Sequence, residues 1–173
     1  MGNNRVAVLG YMDGSAGQIE CWFEEATGMK IDCFIEDSDN PPYVDIAQEN
    51  SKRANKRTSF PENGRFKNYP LLASSSWPEE LRKRGIGKVL PLTGQNSLRI
   101  QQVQRCREAG FELVSAIHPS VLILADAIVE PGVWINAGSI IGYKAEIRPG
   151  VIVHTRVTIE HHNVLMSGCQ LDP

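Results

Sequence analysis

From Ile117 onward one large aliphatic side chain returns every six residues, at Ile117, Ile123, Val129, Ile135, Ile141, Ile147, Val153, Ile159, Leu165 and Leu171. Where about a third of residues would be aliphatic by ordinary composition, an unbroken series of this length leaves little room for chance. Four residues after each comes a second, mostly small or β-branched position: Val121, Ala127, Val133, Ser139, Ala145, Val151, Val157, Asn163 and Cys169. Glycine or proline recurs between them, as in EPGVW, NAGSI, RPGVI and MSGCQ, where the backbone must turn a corner. A period of six would drift round an α-helix, and a hairpin array needs longer strands. A solenoid of short strands remains. Three hexads close one triangular coil, the aliphatic side chains of successive coils stack inside, and each coil hydrogen-bonds its neighbours. The end coils expose strand edges, so the first is expected to be covered by the N-terminal part of the chain and the last by something else, although the sequence stops at Pro173 without such a cap.

The first part of the chain alternates strand and helix. RVAVLGY is a β-branched run ending at a glycine, and Ser15 with Gln18 has the spacing of a capping box, so a helix is expected to begin there. Ile19, Trp22, Phe23 and Ala26 then give one apolar stripe, and Gly28 a stop. KIDCFIED is the next strand. Residues 38–67 are rich in Asn, Pro, Ser and charge, with the basic cluster SKRANKR, and are expected to form a long, hydrated surface excursion. WPEELRKRG has acidic residues first and basic residues last, which suits the dipole of a short helix. KVLPLTG reads as a strand, SLRIQQVQRCREAG as a helix with Leu98, Ile100, Val103 and Cys106 inward, and FELVSAI as a last strand. About four strands alternating with helices imply a parallel sheet of small Rossmann-like type over residues 1–116, followed by a left-handed parallel β-helix over 117–173. A ligand of such a sheet sits beyond its strand ends, here near Gly10, Gly14, Ser15, Gly17 and Asp37.

With 42% hydrophobic and 22% charged residues and a net charge of −2, the chain has the balance of a soluble protein and no basic excess that would call for nucleic acid. No apolar run approaches the roughly 20 residues of a membrane span, and the start resembles no signal peptide, so a cytoplasmic setting is expected. Cys21, Cys33, Cys106 and Cys169 lie far apart without zinc-type spacing and are expected to be reduced, buried thiols. No metal site is expected among the histidines either, because the solenoid period already explains where they fall.

The strand ending in FIED, the YPLL stretch, LTGQNSLR, the AGFELVSAIHPS junction and the EHH of the eighth hexad together resemble the sialic acid O-acetyltransferase and nucleotide-sugar N-acetyltransferase family of bacterial glycan synthesis. The resemblance runs along nearly the whole chain. It implies a homotrimer, acetyl-CoA bound between neighbouring β-helices as acyl donor, and a nucleotide sugar or sialic acid as acceptor. It places the catalytic histidine at His161. A neutral imidazole, with an ordinary pKa near ~6.5, is suited to take the proton that an attacking amine or hydroxyl must lose. Glu160 is then expected to orient this base. His162 stands where the family has an acidic residue and implies a differently tuned base, while His154 replaces a frequent Asn and is expected at the cofactor. His118, in the junction, reads as a turn residue. The loop GYMDGSAGQ is longer than the family's Gly-Gly-His phosphate loop and lacks its histidine. The resemblance also places the backbone N–H that receives the acetyl carbonyl about one coil past His161, beyond Pro173.

Three functions therefore stay open. The first is acetyl transfer to a hydroxyl or amine of a glycan-precursor sugar, and the second is the same chemistry with another acyl donor. The third is a binding or scaffold protein of the same fold that has lost transfer.

Overall fold

A computed structural model of the chain describes residues 4–11, 13–39 and 64–173. SKRANKR and most of the segment around it lie outside the described residues. The N-terminal part forms one sheet from β1 (Arg5–Leu9), β2 (Lys30–Glu36), β3 (Arg65–Phe66), β4 (Tyr69–Ala73), β5 (Lys88–Pro91) and β6 (Glu112–Leu113), in the order β3-β4-β2-β1-β5-β6. Only β3 with β4 is antiparallel; the other pairings are parallel. This six-stranded sheet exceeds the four strands expected, because YPLL joins β2 and Arg65–Phe66 joins its far edge. FELVSAI divides between two structures. Glu112–Leu113 ends the sheet, and Ala116–Ile117 begins the solenoid.

The helices are α1 (Asp13–Glu20), α2 (Phe23–Thr27), α3 (Trp77–Lys83) and α4 (Asn96–Glu108). Two expectations for the first of them need correction. Ser15 lies inside α1, which starts two residues earlier, so it is not a cap; Gln18 instead reaches the solenoid, accepting from Asn136 Nδ2 at 2.9 Å. The expected single helix is also broken at Cys21–Trp22. Gly28 does end α2, with φ 69° and its N–H bonded to the Glu24 carbonyl. In α4 the buried residues are Arg99, Gln102, Val103 and Cys106, whereas Leu98 and Ile100 are only half-buried. Two polar side chains thus stand on the face predicted to be apolar.

Ten two-residue strands follow: β7 (Ala116–Ile117), β8 (Leu122–Ile123), β9 (Ile128–Val129), β10 (Trp134–Ile135), β11 (Ile140–Ile141), β12 (Glu146–Ile147), β13 (Ile152–Val153), β14 (Thr158–Ile159), β15 (Val164–Leu165) and β16 (Gln170–Leu171). They stack in register as three parallel sheets, β7-β10-β13-β16, β8-β11-β14 and β9-β12-β15, the three sides of a β-helix. Both repeating positions point inward: Val133, Ile135, Ile141, Ala145, Ile147, Val151, Val153, Val157 and Ile159 form one buried cluster. The third residue after each inward aliphatic, from Asp126 to Gly168, adopts positive φ, so each hexad turns its corner through the left-handed region. Along one edge this residue is always glycine, at Gly132, Gly150 and Gly168, and α4 lies against it. A Cβ on Gly168 would stand 2.4 Å from Ile100 Cγ1. Along another edge the same position carries Asp126, Lys144 and His162 at a cost of roughly 1–2 kcal/mol each.

The two parts share a core. Outward-facing Ala116, Trp134 and Ile152 of the first side pack with Val6, Val8, Ile19, Phe23 and Phe34 of the sheet and its helices. Burying Trp134 and Ile152 contributes about 1.5–3 kcal/mol apiece. The N-terminal part therefore docks on a side of the solenoid, and the expected cover of the first coil is incomplete: Ile123, an inward position, is 41% exposed. Arg99 ties the parts together from the other direction. Fully buried, its guanidinium donates to the carbonyls of Thr93 (2.5 Å), Gly150 (2.6 Å) and Gly168 (2.8 Å) and to Asn96 Oδ1 (2.9 Å). Burial pushes it down to about 10, so it stays charged at neutral pH.

Cys33 and Cys106 are buried, and burial pushes both thiols up to about 12. Cys21 departs from the expectation of burial: it is exposed, because the break between α1 and α2 turns it to the surface. Among the described residues no helix is long and apolar enough to cross a membrane.

Candidate active site

The turn from β14 to β15 carries Glu160, His161 and His162 outward. The previous coil holds it in place. Gly142 N–H donates to the Ile159 carbonyl at 2.7 Å, and His162 N–H donates to the Tyr143 carbonyl at 3.0 Å. The two turns approach so closely that a Cβ on Gly142 would lie 2.5 Å from Ile159 O and 2.7 Å from His161 N. Glycine at 142 is what lets the histidine turn sit where it does.

Both imidazoles are exposed, and their Nδ1 atoms stand 3.0 Å apart with the rings nearly perpendicular, at 84°. His162 also sets its edge against Tyr143, with ring centroids 5.7 Å apart. Glu160 is exposed, and its carbonyl accepts from Asn163 Nδ2 at 3.0 Å. Beside the turn runs a groove of about 330 Å³ lined by Asp126, Ile128, Lys144, Glu146, His162 and Val164. It combines an apolar floor from the outer face of β9 and β15 with charges of both signs.

A second polar column occupies a different edge. His118, Asn136, His154 and Asp172 follow one another at intervals of one coil, and the first two meet Trp22 and Gln18 of the α1–α2 region. His118 stacks edge-on to Trp22 at 5.1 Å, and His154 to Trp134 at 5.5 Å, with His154 Nε2 3.3 Å from Asp172 Oδ1. His154 and His161 thus lie on separate edges of one chain, seven residue steps apart, so their backbones are at most about 23 Å from each other.

At the sheet, Gly10 has φ 95° and its Cβ would fall 2.5 Å from Thr93 Cα, so packing alone demands glycine there. Gly14, Ser15 and Gly17 lie within α1. Asp37 is engaged: both its oxygens accept from Arg105, at 3.0 and 3.1 Å, Gln102 Nε2 lies 3.3 Å away, and the side chain is 4% exposed. The carboxylate that faces the Gly10 turn belongs to Glu36, whose Oε2 accepts from Tyr11 N–H at 3.4 Å. Burial raises the Glu36 carboxyl above its usual range, against the pull of that N–H. Strand alternation was the available signal. Ile35 and Cys33 face α3 and α4, so Asp37 follows them, and Glu36 follows Phe34 to the side of α1. Arg99 and Gly142 carried no comparable signal.

No family model matches the sequence. Among solved structures the chain is similar to the GDP-perosamine N-acetyltransferase of Caulobacter crescentus, solved as a histidine-to-alanine mutant with CoA and GDP-perosamine. The TM-score is 0.71 at 20% identity, over 95% of this chain and 67% of that one. It is also similar to the acetyltransferase domain of PglB from Neisseria gonorrhoeae in complex with acetyl coenzyme A, with TM-score 0.67 at 20% identity, over 98% of this chain and 70% of that one. The chain thus spans about two thirds of the length of these structures, and the likeness shows that it shares their fold, a sheet domain joined to a parallel β-helix.

Proposed function

We propose that the chain is an acetyltransferase moving the acetyl group of acetyl-CoA to the amine of a nucleotide-linked amino sugar, with His161 as general base. The observation that carries this reading is an exposed imidazole on a solenoid turn, braced by a neighbouring coil and a second imidazole, beside an amphipathic groove. The shared fold with enzymes crystallised with CoA, acetyl-CoA and GDP-perosamine supports an amino-sugar acceptor over a sialic acid hydroxyl. His161 Nε2 takes the amine proton as the nitrogen attacks the thioester carbonyl; the C–S bond then breaks and the CoA thiolate leaves with that proton.

The sheet is read as a small Rossmann-like domain over residues 1–116, binding the nucleotide beyond its strand ends, where Gly10 and Glu36 meet. The left-handed β-helix from residue 117 supplies the chemistry. Because α1 and the Gly10 turn face a different edge from His161, an acceptor held there reaches the base of a neighbouring copy more readily than its own. That supports an assembly in which neighbouring copies complete one another's sites, which we read as a homotrimer.

The test is thiol release from acetyl-CoA in the presence of UDP- and GDP-linked amino sugars. Turnover that falls about 10²- to 10⁴-fold in His161→Ala, with an unchanged melting temperature, supports the base. Absence of thiol release with every acceptor defeats the reading.

A further inference from the structure

We infer that His162 is a positioning residue that fixes the tautomer of His161, holding the proton on His161 Nδ1 and leaving Nε2 free to act. The inference rests on the proposed role of His161 and deepens it. Two ring nitrogens 3.0 Å apart attract only if one carries a hydrogen and the other a lone pair. Either ring could be the donor, and the surroundings of His162 choose between them. Its ring lines the groove together with Asp126, whose negative charge favours a hydrogen on the outer nitrogen, Nε2, while the Glu146 carboxylate of the same groove is held by Arg148. His162 Nδ1 is then the acceptor and His161 Nδ1–H the donor. Lys144, on the same groove, is turned over the Tyr143 ring at 5.0 Å, and Tyr143 meets His162 only ring edge to ring. Neither competes for His162 Nδ1 in this arrangement.

The placement of His162 is consistent with use of its side chain. It sits at φ 59°, a corner position that four other hexads give to glycine and three to Asp126, Lys144 and Arg156, and its N–H is fixed on the Tyr143 carbonyl. A side chain here works against the backbone, and removing it relieves that strain.

This makes His162→Gly a clean test, since glycine suits the turn and deletes only the ring. His162→Asn is its counterpart, because asparagine tolerates the left-handed region and its side-chain oxygen can accept from His161 Nδ1–H. In nitrogen-15 spectra of histidine-labelled protein at alkaline pH, wild-type His161 is expected as the Nδ1–H tautomer. His162→Gly should shift it to the Nε2–H form, and His162→Asn should restore Nδ1–H. In turnover assays His162→Gly should lower kcat about tenfold, the scale of one hydrogen bond, with KM for acetyl-CoA unchanged, and His162→Asn should recover most of the loss. An Nε2–H His161 in the wild type, or a tautomer indifferent to His162→Gly, overturns the inference. The expected tautomers in a protein that turns over no thioester would instead uphold the pairing and refute the acetyltransferase reading.

Discussion

Replacing Gly142 by alanine tests whether the turn below His161 sets the position of the base. The added Cβ would lie 2.5 Å from the Ile159 carbonyl oxygen, 2.7 Å from Glu160 C and 2.7 Å from His161 N, all backbone atoms with no rotamer to yield. Restoring a tolerable 3.0–3.4 Å to the oxygen requires a shift of 0.5–0.9 Å in the strand that leads into the histidine turn. Overpacking of this kind costs about 1–3 kcal/mol, and at about 2–4 °C per kcal/mol the melting temperature should fall by roughly 2–12 °C. Since a misplacement of about 1 Å can cost about a hundredfold, kcat/KM for acetyl transfer should fall between about tenfold and a hundredfold. Gly87→Ala is the control, because nothing lies within 4 Å of its Cβ and its φ is ordinary, so both readouts should stay near wild type. Differential scanning fluorimetry and the thiol-release assay measure the two effects separately. A Gly142→Ala protein with wild-type melting and wild-type turnover would show that the two turns are not in rigid contact.

Other perturbations reach different parts of the molecule. Arg99→Met removes the donor shared by Thr93, Gly150 and Gly168 and should cost about 3–5 kcal/mol in urea unfolding; a loss below about 1 kcal/mol would mean that these carbonyls find other partners. The Glu36 carboxyl is raised in the fold, so its ionisation opposes folding as pH rises through that value and the opposition disappears in acid. Glu36→Gln should therefore melt higher than wild type at neutral pH and no higher well below the ordinary carboxylate range, which a pH series of melting curves checks. Of the four thiols, Cys21 should react first with an aromatic disulfide and Cys169 more slowly, while Cys33 and Cys106 should react only on unfolding; early labelling of either would contradict their burial.

The solenoid was legible because its signal is redundant: Ile135, Ile141 and Ile147 stand for sides that repeat every coil, and one period places all of them. The sheet was less so. β3 and β4 were missed because pairing of Tyr69–Ala73 with β2 is decided by contacts distant in sequence, and a run containing Pro70 reads poorly as a strand. Arg99 was passed over because a charged residue is expected at the surface, and only the carbonyls of two corners far along the chain make its burial tolerable. In the candidate site the histidines could be named from the sequence, but their relation could not. That Asp37 spends its charge on Arg105, leaving Glu36 at the Gly10 turn, follows from where α4 lands.

The core held in common by sheet and solenoid has a consequence for how the molecule comes apart. Stacked repeats ordinarily fray one rung at a time, since each touches only its neighbours. Here Trp134 and Ile152 belong to the interior of the other half, so their rungs cannot peel away without opening the sheet. Calorimetry should show these rungs and the sheet melting in one cooperative transition, with gradual loosening confined to the rungs that Trp134 and Ile152 do not anchor.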